Sequence, residues 1–192
     1  LTLTIFDDEI IEIESWDTAK RLYGVGVDIG TTSVGAALYD LSSGDFLKVV
    51  SVENEQTAYG ADVISRISFA KENQKNAQAL RKAAERTVNY LLKELEAKTD
   101  VKKHEIVKMT IVGNTTMHHL LLGLNVAHLA VSPFVSASNI PLEFFAQDLG
   151  IDINPQARVF LLPNIGSFVG ADTMGAIVGA PQGQDFEPAL LE

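Results

Sequence analysis

The sequence predicts an α/β domain in which a mixed five-stranded sheet is flanked by helices and preceded by a short β-hairpin. Three observations carry this expectation. Apolar residues alternate in period two through Val25, Val27 and Ile29, and again through Val34, Ala36 and Leu38, as in two half-buried strands joined by a tight turn. A third run, residues 46–52, follows the turn Ser42-Ser43-Gly44-Asp45, which makes the first three strands an antiparallel meander. Helical periodicity then separates that meander from two more apolar runs, residues 106–112 and 159–162.

Taken in order, residues 1–14 alternate around Asp7-Asp8-Glu9 and read as the hairpin. Residues 15–22 are a polar connection, in which Trp16 is expected to pack the hairpin on the main body. Residues 53–59 are polar. From Asp62 the period becomes helical, with Val63, Ile67 and Ala70 on one face and a break near residues 72–76. A long helix is expected over residues 77–98, with Leu80, Ala84, Val88, Leu91, Leu92 and Leu95 inward and its charges on a solvated face. A polar bridge, residues 101–105, leads to the fourth strand, which should be parallel and buried. The next helix follows Gly113-Asn114 and ends at Gly123. Residues 124–145, with Pro133 and Pro141, are expected to be irregular, and residues 146–150 read as a helix end capped by Gly150. The fifth strand leads through Pro163-Asn164-Ile165-Gly166-Ser167 into a helix of small residues over 168–179, and the tail carries no clear element.

Composition narrows the function classes. The 192 residues are 46% hydrophobic and 21% charged, enough apolar material for a sizeable core. A net charge of −10 argues against nucleic acid as a partner, because phosphate backbones need a basic surface. Cysteine is absent, which excludes disulfides, Cys-ligated zinc and iron–sulfur ligation within the chain and fits a cytoplasmic protein. No apolar run approaches the ~20 residues of a membrane span, and no signal peptide is present, so no membrane partner is expected. The chain opens in the strand-like Leu1-Thr2-Leu3-Thr4-Ile5-Phe6 and closes with Leu191-Glu192, which resembles a cloning scar. Both ends read as cuts in a longer protein.

The turn between the first two sheet strands, Asp28-Ile29-Gly30-Thr31-Thr32-Ser33, has the composition of an anion site. Gly30 lets backbone N–H groups close on a phosphate, the three hydroxyls add donors, and Asp28 can hold a hydrated Mg²⁺. An ordinary hairpin turn is the competing reading. A dinucleotide fingerprint built on Gly24, Gly26 and Gly30 fails, because a strand rather than a helix follows.

This strand–loop–strand resembles the first phosphate loop of the actin, sugar-kinase and Hsp70-type ATPase superfamily. Four stretches narrow the resemblance: residues 22–33; Asn54-Glu55-Gln56-Thr57-Ala58-Tyr59-Gly60 with residues 61–67; Gly113-Asn114-Thr115-Thr116-Met117-His118-His119; and Gly166-Ser167-Phe168-Val169-Gly170-Ala171-Asp172. Together, in this order, they resemble the ATPase part of the reductive activators of corrinoid iron–sulfur proteins and corrinoid methyltransferases. The resemblance implies a ribonuclease-H-like, actin-like half-domain over residues 15–180. Residues 1–14 would end a preceding middle domain, and residues 181–192 would be a tail or a truncated connection to a missing second half. It implies an ATP-dependent enzyme that returns a Co(II) corrinoid protein to Co(I), with ATP and Mg²⁺ as cofactors. A [2Fe–2S] cluster would sit in a ferredoxin-like domain of the full-length protein, not in this chain. Half an ATP site should be inactive alone.

By that resemblance Asp28, Gly30, Thr31, Thr32 and Ser33 contact phosphate and Mg²⁺, and Asp172 orients the attacking water or the metal, with a solvated helix carboxylate as its competing reading. Gly113, Asn114 and Thr115 either receive an anion at a helix N-terminus or form a plain N-cap. Asp62 and Arg66, one helical turn apart, either pair on the surface or face a partner. His118 and His119 are adjacent and lack the i, i+4 spacing of a helical metal site. Two rival readings are a sugar or acyl kinase of the same superfamily and a non-enzymatic actin-like scaffold.

Overall fold

A computed structural model describes residues 1–166 and 169–179. The hairpin forms from β1 (Thr2–Phe6) and β2 (Glu9–Glu14), and Asp7 and Asp8 make its turn with φ of 46° and 66°. The main sheet contains β3 (Tyr23–Ile29), β4 (Ser33–Asp40), β5 (Phe46–Glu53), β6 (Ile106–Gly113), β7 (Leu142–Phe145) and β8 (Arg158–Leu161). Its order is β5-β4-β3-β6-β8-β7. Apart from the edge strand β7, only β4 runs against the others, which is the order and polarity of a ribonuclease-H-like sheet.

The sheet thus has six strands where five were expected. The additional one, β7, lies inside the stretch read as irregular, just after Pro141. Four residues carry too little period-two signal to stand out, and the strand owes its place to pairing with β8 and to Phe145, whose ring lies 4.3 Å under the Arg158 guanidinium.

Helices α1 (Val63–Glu72), α2 (Gln74–Lys98) and α3 (Thr115–Leu122) cover one face of the sheet. Alternation sends Val25, Val27 and Ile29 of β3, with Met109 and Ile111 of β6, to that face, against Leu80, Val88, Leu91 and Leu92 of α2. The break between α1 and α2 is a single residue rather than the five expected. Extended Asn73 ends α1, and its side chain accepts from the Asn76 amide to start α2 at Gln74. Residues 101–105 are less polar in place than in letters, since Val101 and Glu105 are buried and Arg21 pairs with the Glu105 carboxylate. Residues 146–149 form one 3₁₀ turn rather than a helix end, although Gly150 caps it in the left-handed conformation.

The opposite face holds Gly24, Gly26 and Asp28 of β3 in register with Lys108, Thr110 and Val112 of β6. Among the described residues one helix lies there, α4 (Ala171–Gly179), seated on Val112 at Gly175. It begins at Ala171, not Phe168; Ser167 and Phe168 lie outside the described residues. Val169 instead closes a bridge with Gly166 before the helix starts. The tail, residues 181–192, also lies outside them. The hairpin is fastened by Phe6 stacked near Phe160, by Glu9 on Arg158 and by Glu12 on Asn154. Trp16 plays no part. It is 80% exposed past the end of β2, and among the described residues only its backbone carbonyl is engaged, accepting from the Thr2 hydroxyl at 2.7 Å. No helix among the described residues is long and apolar enough to cross a membrane.

Candidate functional site

The expected phosphate loop sits at the C-terminal end of β3, where that strand turns into β4. A Cβ at Gly30 would lie 2.6 Å from the Ser33 carbonyl oxygen, so the turn closes only with glycine at this position. The loop carbonyls are held from inside the protein. Asn54 donates its side-chain amide to the Gly30 oxygen at 2.8 Å and its backbone N–H to the Thr32 oxygen at 2.9 Å. Arg66 donates to the Thr31 oxygen at 2.5 Å. With three successive carbonyls drawn inward, the Thr32 and Ser33 side chains stand exposed and Thr31 is half-buried.

Asp28 points to the α4 face of the sheet, beside a cleft of about 600 Å³ that Asp172, Thr110, Gly35 and Tyr39 also line. Asp172 lies in the first turn of α4, where a carboxylate is favoured, and accepts from the Thr173 amide at 2.8 Å. Desolvation at the cleft, and then the charge of Asp172, raise the Asp28 carboxyl above its ordinary range, although the side chain remains largely exposed. Two hard carboxylates that repel each other beside a hydroxyl-lined turn form a donor set suited to a hydrated divalent cation bound with phosphate. A separate cleft of about 430 Å³, between the α1–α2 corner and the end of α3, shares no residue with this one and carries no carboxylate.

This coupling has a measurable consequence. Asp172→Asn should lower the titration midpoint of Asp28, followed by carboxyl ¹³C NMR. The midpoint should stay above the ordinary aspartate range, because desolvation is the larger cause. An unchanged midpoint would mean that the two carboxylates do not sense each other.

The remaining expected residues separate into different roles. Asn114 caps α3, its side chain accepting from the Met117 amide at 3.0 Å and donating to the Thr31 hydroxyl at 3.1 Å. Thr115 is fully buried. A Cβ at Gly170 would lie 2.3 Å from the Gly113 oxygen, so the segment entering α4 packs directly over this helix start. Gly113, Asn114 and Thr115 therefore join the loop to α4, and the plain N-cap describes them better than an anion receptor. Asp62 is exposed and caps α1 in a reciprocal box with Ser65. Arg66 is not at the surface, as a surface pair or partner contact would need; it is completely buried, its guanidinium drawn to the loop and the Gly60 carbonyl.

Sequence reasoning missed Asn54 and Arg66 as the residues that shape the loop. The available signal was a polar run, Asn54-Glu55-Gln56, directly after an apolar strand, where polar side chains pointing inward have work to do on backbone groups.

Comparison with known proteins places the fold in a family. Residues 23–181 match the family described as the RACo middle region. The chain is 36% identical over 183 residues to the corrinoid activation enzyme RamQ of Eubacterium limosum, covering 95% of this chain and 31% of that protein. A solved structure, a reductive activator for corrinoid, iron-sulfur protein, superposes with a TM-score of 0.83 at 37% identity, over 88% of this chain and 27% of the other. The chain spans less than a third of the length of either relative. The matched residues begin with β3 and take in the whole six-stranded sheet, the turn after Asp28 and the start of α4 with Asp172: the chain belongs to the RACo middle-region family.

Proposed function

We propose that these residues are the first half of an actin-like ATPase domain, and that the intact protein is an ATP-dependent reductive activator returning a Co(II) corrinoid protein to Co(I). The observation that carries the nucleotide part is the turn after Asp28, closed by Gly30, held inward by Asn54 and Arg66, and flanked by two carboxylates on one cleft. In this reading Thr31, Thr32, Ser33 and the Gly30 backbone bind phosphate oxygens. Asp28 and Asp172 orient the water shell of a Mg²⁺ bound with the nucleotide. That ion supplies charge neutralisation for the departing phosphate. The reductive part rests on similarity to the corrinoid activators. An iron–sulfur centre fits no part of this chain, which has no cysteine to ligate one, so the electrons come from elsewhere in the protein or from a donor.

A single phosphate loop beside an open cleft holds nucleotide weakly, since exposed anion contacts are screened by salt and the cleft among the described residues does not enclose the base. The 192 residues alone should bind Mg-ATP with a Kd in the millimolar range, about −4 kcal/mol, and should not hydrolyse it. Calorimetric titration of the chain tests this, and micromolar affinity or turnover would move the ATP site elsewhere. Capture of a corrinoid protein by the full-length protein, and its reduction only with ATP, tests the second part.

A further inference from the structure

Arg66 is the largest fully buried side chain among the described residues, and its environment is unusual for a cation. It lies in the first turn of α1, the end of a helix that disfavours positive charge. Its partners are all neutral: the Thr31 oxygen at 2.5 Å, the Gly60 oxygen at 2.9 Å, the Met117 sulfur at 3.2 Å and the Gln56 Oε1 at 3.4 Å. Among the described residues no carboxylate makes an ion pair with it, and Asp62 spends its carboxylate on the Ser65 amide at 2.8 Å. Guanidinium does not deprotonate in a protein, so a full positive charge is enclosed with no carboxylate in contact, and only the field of exposed Asp62, one helical turn away, acts in its favour.

Such an arrangement is costly unless an anion answers it. The loop is where an anion can arrive, because Thr31 gives its carbonyl to Arg66 while its neighbours Thr32 and Ser33 face solvent. We infer that Arg66 is a positioning residue of the nucleotide site, bracing the phosphate loop from behind and placing beneath it a buried positive charge that bound phosphate neutralises. The inference rests on the ATP reading of the loop. Arg66 touches no substrate atom; it acts through Thr31. A purely structural staple would join the loop, the turn at Gly60 and α3 equally well, but its removal would not discriminate between ligands of different charge.

The test uses the full-length protein and three ligands, Mg-ATP, ADP and AMP, measured by calorimetry. Arg66→Met should weaken ATP by about tenfold or more and AMP by less than about threefold, since the lost Coulomb attraction grows with the phosphate charge at the loop. Arg66→Lys should keep ATP within about threefold of wild type, because it restores the charge without the fork. Equal losses for ATP and AMP, or a lysine variant as weak as the methionine one, would reduce Arg66 to a staple. Should Arg66→Met fail to fold, the lysine variant decides alone on the same threshold. If wild-type protein binds ATP and Asp28→Asn does not alter that binding or its turnover, the nucleotide reading of the loop has failed, and the role of Arg66 falls with it.

Discussion

Asp28→Asn in the full-length protein should lower ATP turnover by about 10²-fold or more, the scale on which a charged catalytic group is lost, while the protein stays folded. The two halves of this expectation come from the same environment. Asp28 is the penultimate residue of β3 on the α4 face; its side chain stays largely exposed, and desolvation at the cleft, then the charge of Asp172, raise its carboxyl above the ordinary range. A carboxyl whose folded-state pKa is raised contributes stability below its unfolded value, and that contribution is lost as pH rises through the folded value. Solvent screens most of this at so exposed a carboxylate, so at neutral pH the Asp28 charge costs the fold little. In the proposed Mg²⁺ reading, asparagine removes that small cost and the cation's anchor together. Thermal unfolding of the variant should match or slightly exceed wild type in the absence of nucleotide, with turnover nearly gone. Wild-type turnover would take Asp28 out of the mechanism, and a collapsed fold would make any loss of turnover uninformative about Mg²⁺.

Much of the architecture was legible because its signals are periodic. The strands through Val25–Ile29 and Val34–Leu38 alternate cleanly because one face meets α2 and the other is open or touches α4. The long apolar stripe of α2 is equally plain. What escaped notice depends on tertiary partners. Strand β7 exists through its pairing with β8, and the start of α2 through the Asn73 cap. Trp16 shows the reverse error, a large ring expected to pack that stands exposed. At the site, the residues proposed to carry the chemistry, Asp28 to Ser33 and Asp172, are named from composition and resemblance. Their support is not. Asn54 and Arg66 act by turning polar groups inward onto backbone carbonyls of a distant turn, and nothing in the letters distinguishes an inward arginine from a solvated one.

His118 should make this chain acid-labile. It lies 4% exposed on α3, with neither ring nitrogen hydrogen-bonded among the described residues. Its neighbour His119 is fully engaged, Nδ1 bonded to the Thr115 oxygen at 2.7 Å and Nε2 accepting from the Ala137 amide at 2.9 Å. Burial, and secondarily the charge of His119, push the His118 imidazole down to about 4. A histidine whose folded pKa is depressed supplies stability in full above its unfolded value near 6.5, and that stability disappears as pH falls through the folded value. By pH 4.5 the loss from this one residue should reach about 2–3 kcal/mol, a large share of the ~5–15 kcal/mol that holds a domain together. His118→Phe replaces two unsatisfied buried nitrogens with apolar atoms of similar shape. It should be neutral or mildly stabilising at pH 7, and should outlast wild type progressively as pH falls from 6.5 to 4.5. His119→Phe should do the opposite at pH 7, because it takes the acceptor from the Ala137 amide and removes the side-chain bond to the Thr115 carbonyl, which keeps only its helical partner. Urea midpoints of the three proteins across that pH range decide the matter, since acid effects of the carboxylates are common to all and cancel in the difference. Parallel curves for wild type and His118→Phe would show that His118 takes up its proton without cost, and that the space around it is wetter than its burial implies.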